Sequence, residues 1–533
     1  MKKRFEVFLI LILIVSSKIH SQTEEWTSRY GGPEMEQGSA IVSDNLGNIY
    51  VTGSENGPAN SDIVTLKYSS SGHLLWVRTF NGPANSSDGA FFIKLDEFGS
   101  VIVTGESSGI GTARDIITIK YSTSGEQLWI ERYTSSGNHN DYAGSLTVDD
   151  AGFIYVTGES NGDFVTIKYN TKGEEQWISL YGTDKNLELP HAIAIDSSGN
   201  VFVTGDIGND STNSRDIATI KYNSNGILQW ISFYNGPFKE YDYGLAIGID
   251  NFGNVYVTGG STDSMNYSDY VTVKYNSQGV EQWSRRYGGS DNYYDQARSL
   301  VIDKSNNIYV TGYATHIGTG YDFTTIKYNS DGKQLWTAIY HNGLNDQAEE
   351  ITIDNKGNIY VTGRSDGNGT GFDYATVKYD SNGIQQWVKR YDYSGEYGDI
   401  SLSINIDNDQ NVYITGQSNR DILTIKYSQP TSIISNVSVP PHQFKLSQNY
   451  PNPFNPVTKI QYSIPPQSTD KIFVRLVVYN ATGKEISVLV NEEKFSGKYE
   501  VQFDGKNYPS GIYFYSLNLG KEKRDVKKMV LLK

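Results

Sequence analysis

The chain has 533 residues, with 53 Gly and 40 Tyr but only 4 Met, a formal net charge of −15 and no cysteine. Such a length exceeds one ordinary core, and the acidic balance excludes a protein that wraps nucleic acid non-specifically, which needs a basic surface. The lack of Cys excludes disulfides, thiol nucleophiles and thiolate metal sites, while abundant Gly, Tyr, Thr and Val point to short strands and tight turns.

At the N-terminus, Lys2, Lys3 and Arg4 precede an apolar run from Val7 to Val15. This predicts a signal peptide over 1–21, cleaved after Ser21. A membrane anchor is the alternative, but nine apolar residues are too few to cross ~30 Å of hydrocarbon. No other segment is apolar enough to cross, so the mature chain is expected to lack a transmembrane segment.

From there a unit repeats eight times. GNIYVTG or a near-copy places a glycine at 53, 105, 158, 205, 259, 312, 363 and 416, a period that marks a solenoid, an array or a propeller. A turn aspartate precedes each copy, from Asp44 to Asp407. D-x-x-T-x-K-Y follows, from Asp62–Tyr68 to Asp421–Tyr427, and then x-x-W-x-x-x-[YF]. Each unit reads as four strands, in the first about 39–43, 48–54, 62–68 and 74–80. Ile49 and Val51 alternate with Tyr50 and Thr52, yet both faces carry bulky side chains. A strand buried on both faces belongs to a sheet sandwiched between sheets, as in a propeller.

The fold expected is all-β, an eight-bladed β-propeller with seven blades as the alternative, followed by a small C-terminal Ig-like β-sandwich. The Trp strands run one step ahead of the VTG strands: Trp26 precedes the first, and none follows Tyr427. Glu24–Tyr30 is therefore expected to close the ring as the outer strand of the last sheet.

Residues present in every unit are expected to serve folding. Trp26, Trp76, Trp129, Trp177, Trp230, Trp283, Trp336 and Trp387 read as outer-strand packing anchors. Eight residues before each turn aspartate stands another acid: Glu36, Asp88, Asp141, Glu188, Asp242, Asp295, Asp346 and Asp399. One reading is a carboxylate ring at the channel mouth able to hold a cation, with calcium the candidate ion. The other is capping of backbone N–H groups or pairing with a repeat lysine. Like charges converging on an axis repel, which favours the second.

Function is expected where units differ, on the face carrying the VTG-to-D-x-x-T loops and the unit-to-unit links. Those links include NGPFKEYDYG, GGSDNYYDQA and TSSGNHNDYAG. Tyr142, Tyr241, Tyr243, Tyr293, Tyr294 and Tyr397 are the candidate ligand-binding residues, because tyrosine offers stacking area with a polar tip. The alternative is that these loops are merely solvated. The seven histidines show no metal-ligand spacing, no catalytic motif is present, and no catalytic residue or cofactor is identified.

The units resemble the SBBP β-propeller repeats of secreted bacterial proteins, on D-x-x-G-N-V-Y-V-T-G and D-x-x-T-x-K-Y-x-x-x-G-x-x-x-W over roughly 24–427. That resemblance implies a fold and little about activity. YDSNGIQQW at 379–387 is also similar to the tryptophan-docking motif of quinoprotein dehydrogenases, which implies a quinone cofactor with calcium, often beside adjacent cysteines that this chain lacks.

After Tyr427 comes a polar, proline-containing linker over 428–443, then strands and Gly turns over 444–533. QNYPNPFNP, VYNATGK, the FDG-to-GIY run at 503–513 and the basic end KKMVLLK make this tail resemble the type A C-terminal sorting domain of type IX secretion. The resemblance implies Sec export, passage through the type IX machinery, and release or attachment at the surface. The expected function is a binding or adhesion module for an extracellular glycan or protein. An extracellular carbohydrate-active or quinoprotein-like enzyme is the alternative.

Overall fold

A computed structural model describes residues 23–533 except 58–59, 183–187, 210–213, 264, 266, 292, 344, 368, 370, 394–397, 429–444, 465–471, 495–496 and 521–522. The segment expected to be a signal peptide, most of the expected linker and Tyr397 lie outside the described residues. Two compact units emerge, Met1–Pro430 and Thr431–Lys533.

The first unit is all-β in its described residues and holds eight four-stranded antiparallel sheets. Seven are contiguous in sequence: 36–80, 89–133, 141–181, 188–234, 242–287, 296–340 and 346–391. The eighth combines 399–428 with Thr23–Tyr30, which pairs antiparallel with Asp421–Ser428. The strands start where local chemistry ends the turns. Asp44 Oδ1 accepts the N–H groups of Leu46 and Asn48, each at 2.9 Å, and Oδ2 accepts the Tyr50 hydroxyl at 3.1 Å. The same Asx turn recurs at Asp149, Asp250, Asp303 and Asp354.

The double-sided burial of the second strand has a direct cause. Ile49 and Val51 join a core with Tyr413 and Ile422 of the eighth sheet, whereas Tyr50 faces the other way and joins Ala90, Ile93 and Val101 of the second. Each seam between neighbouring sheets has such an apolar cluster, and the eighth sheet meets the first through one of them. Between the faces run buried threonine pairs. Thr52 Oγ1 donates to the Val64 carbonyl at 3.0 Å and lies 3.3 Å from Thr65 Oγ1, so both threonine hydroxyls have a partner.

The VTG glycine answers to a bulge. Every innermost strand has a register shift opposite it, between Gly38 and Ala40 in the first sheet and at the equivalent place in the other seven. The bulge presses the Gln37 carbonyl onto Gly53, where any Cβ would overlap it, and each VTG glycine meets the equivalent carbonyl.

The second unit has a three-stranded and a four-stranded sheet, Lys445–Leu446, Val457–Ile464 and Gly497–Asp504 against 472–494 and 511–531. They share one core, with Ile460 and Phe503 from the first and Val474, Leu476, Tyr515 and Leu517 from the second.

Candidate functional site

Seven of the eight outer-strand tryptophans lie over the hairpin of the next sheet. Trp129 Nε1 donates to the Thr171 carbonyl at 3.1 Å, and its ring leaves no room for a side chain at Gly173, whose φ is +87°. Lys120 Nζ donates to the same carbonyl at 3.2 Å. This geometry repeats from Trp26, on Ser70, to Trp336, on Ser381. Trp387 is the exception: its sheet neighbour has no fourth-strand hairpin, and among the described residues its buried Nε1 has no hydrogen-bond partner.

The eight regularly spaced acids, Glu36 to Asp399, are all buried and each starts or directly precedes an innermost strand. That strand accordingly begins at Glu36 in the first sheet, three residues before the Ser39 expected. The carboxylates accept link N–H groups. Ser135 donates to Asp141 at 2.7 Å, Asn342 to Asp346 at 2.7 Å and Tyr393 to Asp399 at 2.7 Å. Asp295 takes N–H bonds from Gly289 and Thr315, and burial still pushes its carboxyl up to about 6. Burial likewise raises Glu36, Asp242 and Asp399. None of the eight lines either central cavity.

Those two cavities, of about 500 and 420 Å³, lie between the innermost strands and share Phe92, His191, Leu245, Arg298, Glu349 and Leu402. Most of these are bulge residues. Across the eight sheets the bulge position holds Ser39, Phe91, Gly144, His191, Leu245, Arg298, Glu349 and Leu402. Sequence reasoning missed this ring. Its signal was available: the position lies three residues after each regular acid, and it varies from Gly to Arg among the eight units. In the ring, Arg298 Nη2 pairs with Glu349 Oε2 at 2.8 Å, and His191 Nε2 lies 2.7 Å from Asp206 Oδ1. Nearby, burial raises Glu106 and Glu159, with the charge of Glu159 adding to the first and those of Asp141 and Asp163 to the second.

The tyrosine candidates separate. Tyr142 lines the first cavity. Tyr241 is exposed. Tyr243 packs its ring on Gly260 and donates to Ser268 Oγ at 2.8 Å, so it is held in the scaffold. Tyr293 and Tyr294 are about half exposed and belong to a patch with three tyrosines that the sequence reading did not single out. Tyr267 stacks on Tyr293 at 5.2 Å and meets Tyr294 edge-on at 5.3 Å, Tyr293 reaches Tyr321 at 6.3 Å, and Tyr321 meets Tyr313 at 5.2 Å. The patch runs into the channel rim: Gln296 Oε1 accepts both the Tyr313 hydroxyl, at 2.9 Å, and Arg298 Nη1, at 3.1 Å.

The fold and repeats define an exported, all-β protein built of propeller repeats. The chain matches the model described as "Beta-propeller repeat" over 129–164, 282–318 and 336–369, and the "Secretion system C-terminal sorting domain" over 448–532. The tail is thus a type IX sorting domain, and the protein is secreted or held at the outer cell surface. An uncharacterised WD repeat-containing protein of Acanthamoeba polyphaga mimivirus is 22% identical over 74% of this chain and 36% of its own length. The regulatory protein FlaEY of Caulobacter vibrioides is 30% identical over 19% of this chain and 12% of its own. The chain therefore spans little more than a third of the longer match. Among solved structures, a gluconolactonase from Xanthomonas campestris is 12% identical with a TM-score of 0.31, covering 55% of this chain and 90% of that one. Drosophila Plexin A in complex with Semaphorin 1b is 8% identical with a TM-score of 0.38, covering 76% and 88%. No helix among the described residues is long and apolar enough to cross a membrane.

Proposed function

We propose that the eight sheets are the blades of one closed propeller, completed by the N-terminal strand, and that its link face binds an extracellular glycan. The observation that carries this reading is the tyrosine patch of 267, 293, 294, 313 and 321, continuous through Gln296 with Arg298 and Glu349. Tyrosine faces stack on the apolar faces of sugar rings, while planar amide, guanidinium and carboxylate groups bond the hydroxyls. None of these tyrosines occupies a position shared by all units, so packing does not demand them. The tail, read as a small Ig-like β-sandwich over 444–533, is the address for the type IX machinery.

A second reading, an extracellular carbohydrate-active enzyme, draws on Glu106 and Glu159, two carboxyls held above their usual range near the cavity. The test is a soluble polysaccharide panel titrated calorimetrically into the intact protein, with reducing ends assayed in parallel. Binding is expected without release of reducing ends. Tyr293→Ala with Tyr294→Ala should weaken it about tenfold or more, as for exposed aromatic anchors. Binding indifferent to that double change would remove the patch from consideration, and sugar release abolished by Glu159→Gln would favour the enzyme.

A further inference from the structure

One seam is chemically unlike the others. Between the seventh and eighth sheets, Asp373, Asp392 and Asp399 each present an oxygen, and the three oxygens lie within 4.8 Å of one another. Asp373 stands in the third strand of the seventh sheet, and Asp399 opens the innermost strand of the eighth. Asp392 is the first link residue after Tyr391 and is exposed. At the same link position the other seven seams carry Asn, Thr, Gly or His.

The carboxylate of Asp399 is incompletely satisfied. The residue is 1% exposed, one oxygen accepts the Tyr393 N–H, and Oδ1 is buried with no hydrogen-bond partner among the described residues. Asp88 and Asp141 also leave one buried oxygen over, but their links offer no further acid. A bare oxygen beside two more carboxylates is costly unless a cation sits among them.

The neighbouring cations do not balance the group. Arg390 Nη2 is committed to Asp373 Oδ2 at 2.5 Å. Arg29, facing from the eighth sheet, is held by Asp421 at 3.0 Å and by the Ser418 carbonyl at 2.9 Å, with its guanidinium 4.0 Å over the Tyr393 ring. With Arg390 matched to Asp373, two negative charges are left, the charge of one divalent ion. Calcium tolerates irregular oxygen coordination completed by water, whereas magnesium demands near-ideal octahedral geometry.

We propose that Asp373, Asp392 and Asp399 form a calcium site that clamps the link between the last two sheets. Carboxylate-only donors suit a hard cation, and water fills the remaining positions through the exposed side of Asp392. The affinity expected of an extracellular module is about 10⁻⁴–10⁻³ M.

The experiment is calorimetric titration of the intact, chelator-treated protein with calcium chloride alone, beside thermal unfolding in EDTA and in calcium. One site per chain and an upward shift in Tm with calcium are expected. Asp392→Asn removes an exposed ligand without touching the core. It should lower calcium affinity about tenfold or more and abolish the shift, while leaving Tm in EDTA as in the wild type. No heat and no shift at about 10 mM calcium, an Asp392→Asn protein that binds as the wild type does, or tighter binding of magnesium would each overturn the assignment.

Discussion

The tryptophan clamps permit an internal comparison. In Trp129→Phe the ring keeps much of its packing against Tyr169, 6.2 Å away, and over Gly173, but it loses the bond from Nε1 to the Thr171 carbonyl. That bond contributes about 0.5–1.5 kcal/mol, and the smaller ring forfeits about 0.5–1 kcal/mol of burial, giving a cost of about 1–2.5 kcal/mol. Trp387→Phe loses similar area next to Tyr360 and Tyr427. It loses no hydrogen bond to a described residue, because its Nε1 is buried without an acceptor among them, and deleting a stranded donor recovers about 1–3 kcal/mol. The second variant should therefore be roughly neutral or stabilising and should exceed the first by about 2 kcal/mol. Differential scanning calorimetry of both variants, at matched pH and calcium, reads the difference directly. If Trp387→Phe is as damaging as Trp129→Phe, shape alone governs these clamps and the hydrogen-bond argument fails.

The pH dependence of Asp295 has a definite sign. Its carboxyl is raised to about 6, so the folded protein binds that proton more tightly than the unfolded chain does. The resulting stabilisation is complete below about pH 4 and is lost as pH rises through about 6. Asp295→Asn should therefore gain on the wild type by about 1–3 kcal/mol between those limits, measured as the difference in Tm across pH 4–7. Deleting 23–30 removes the partner of Asp421–Ser428 and exposes a sheet edge, so light scattering should report aggregation and unfolding should lose cooperativity. Removing 444–533 should leave a folded propeller confined to the periplasm of a host with type IX secretion, scored by cell fractionation.

Strand identity was legible because it rests on local chemistry. An Asx-Gly turn ahead of Ile-Tyr-Val-Thr-Gly specifies a hairpin without reference to the rest of the chain, and the tail announced itself through QNYPNPFNP. The site was legible only in part. Tyr293 and Tyr294 stood out as unrepeated aromatics on a link, but Tyr267, Tyr313 and Tyr321 join them only through folding across two sheets. Tyr243 looked equivalent on sequence, yet the small Gly260 opposite lets its ring fold flat against the scaffold. The bulge ring was hidden for another reason. An inserted residue rotates the side chain out of the two-residue alternation, so Arg298 and Glu349 violate the pattern from which burial is read.

Asp421–Ser428 is the strand from which the chain departs toward its surface address, and it has a neighbour on each edge, Thr23–Tyr30 on one side and Val412–Ser418 on the other. For a protein tethered by its tail, mechanical tension enters at Ser428. A terminal strand on an open sheet edge would peel away one hydrogen bond at a time. Here the loaded strand is gripped from both sides along most of its length, and the grip includes the Arg29–Asp421 pair and the Lys426–Glu25 pair at 2.7 Å. Extraction must break two ladders together, so a chain held through its tail would resist unravelling at this strand more strongly than one ending in a simple edge strand.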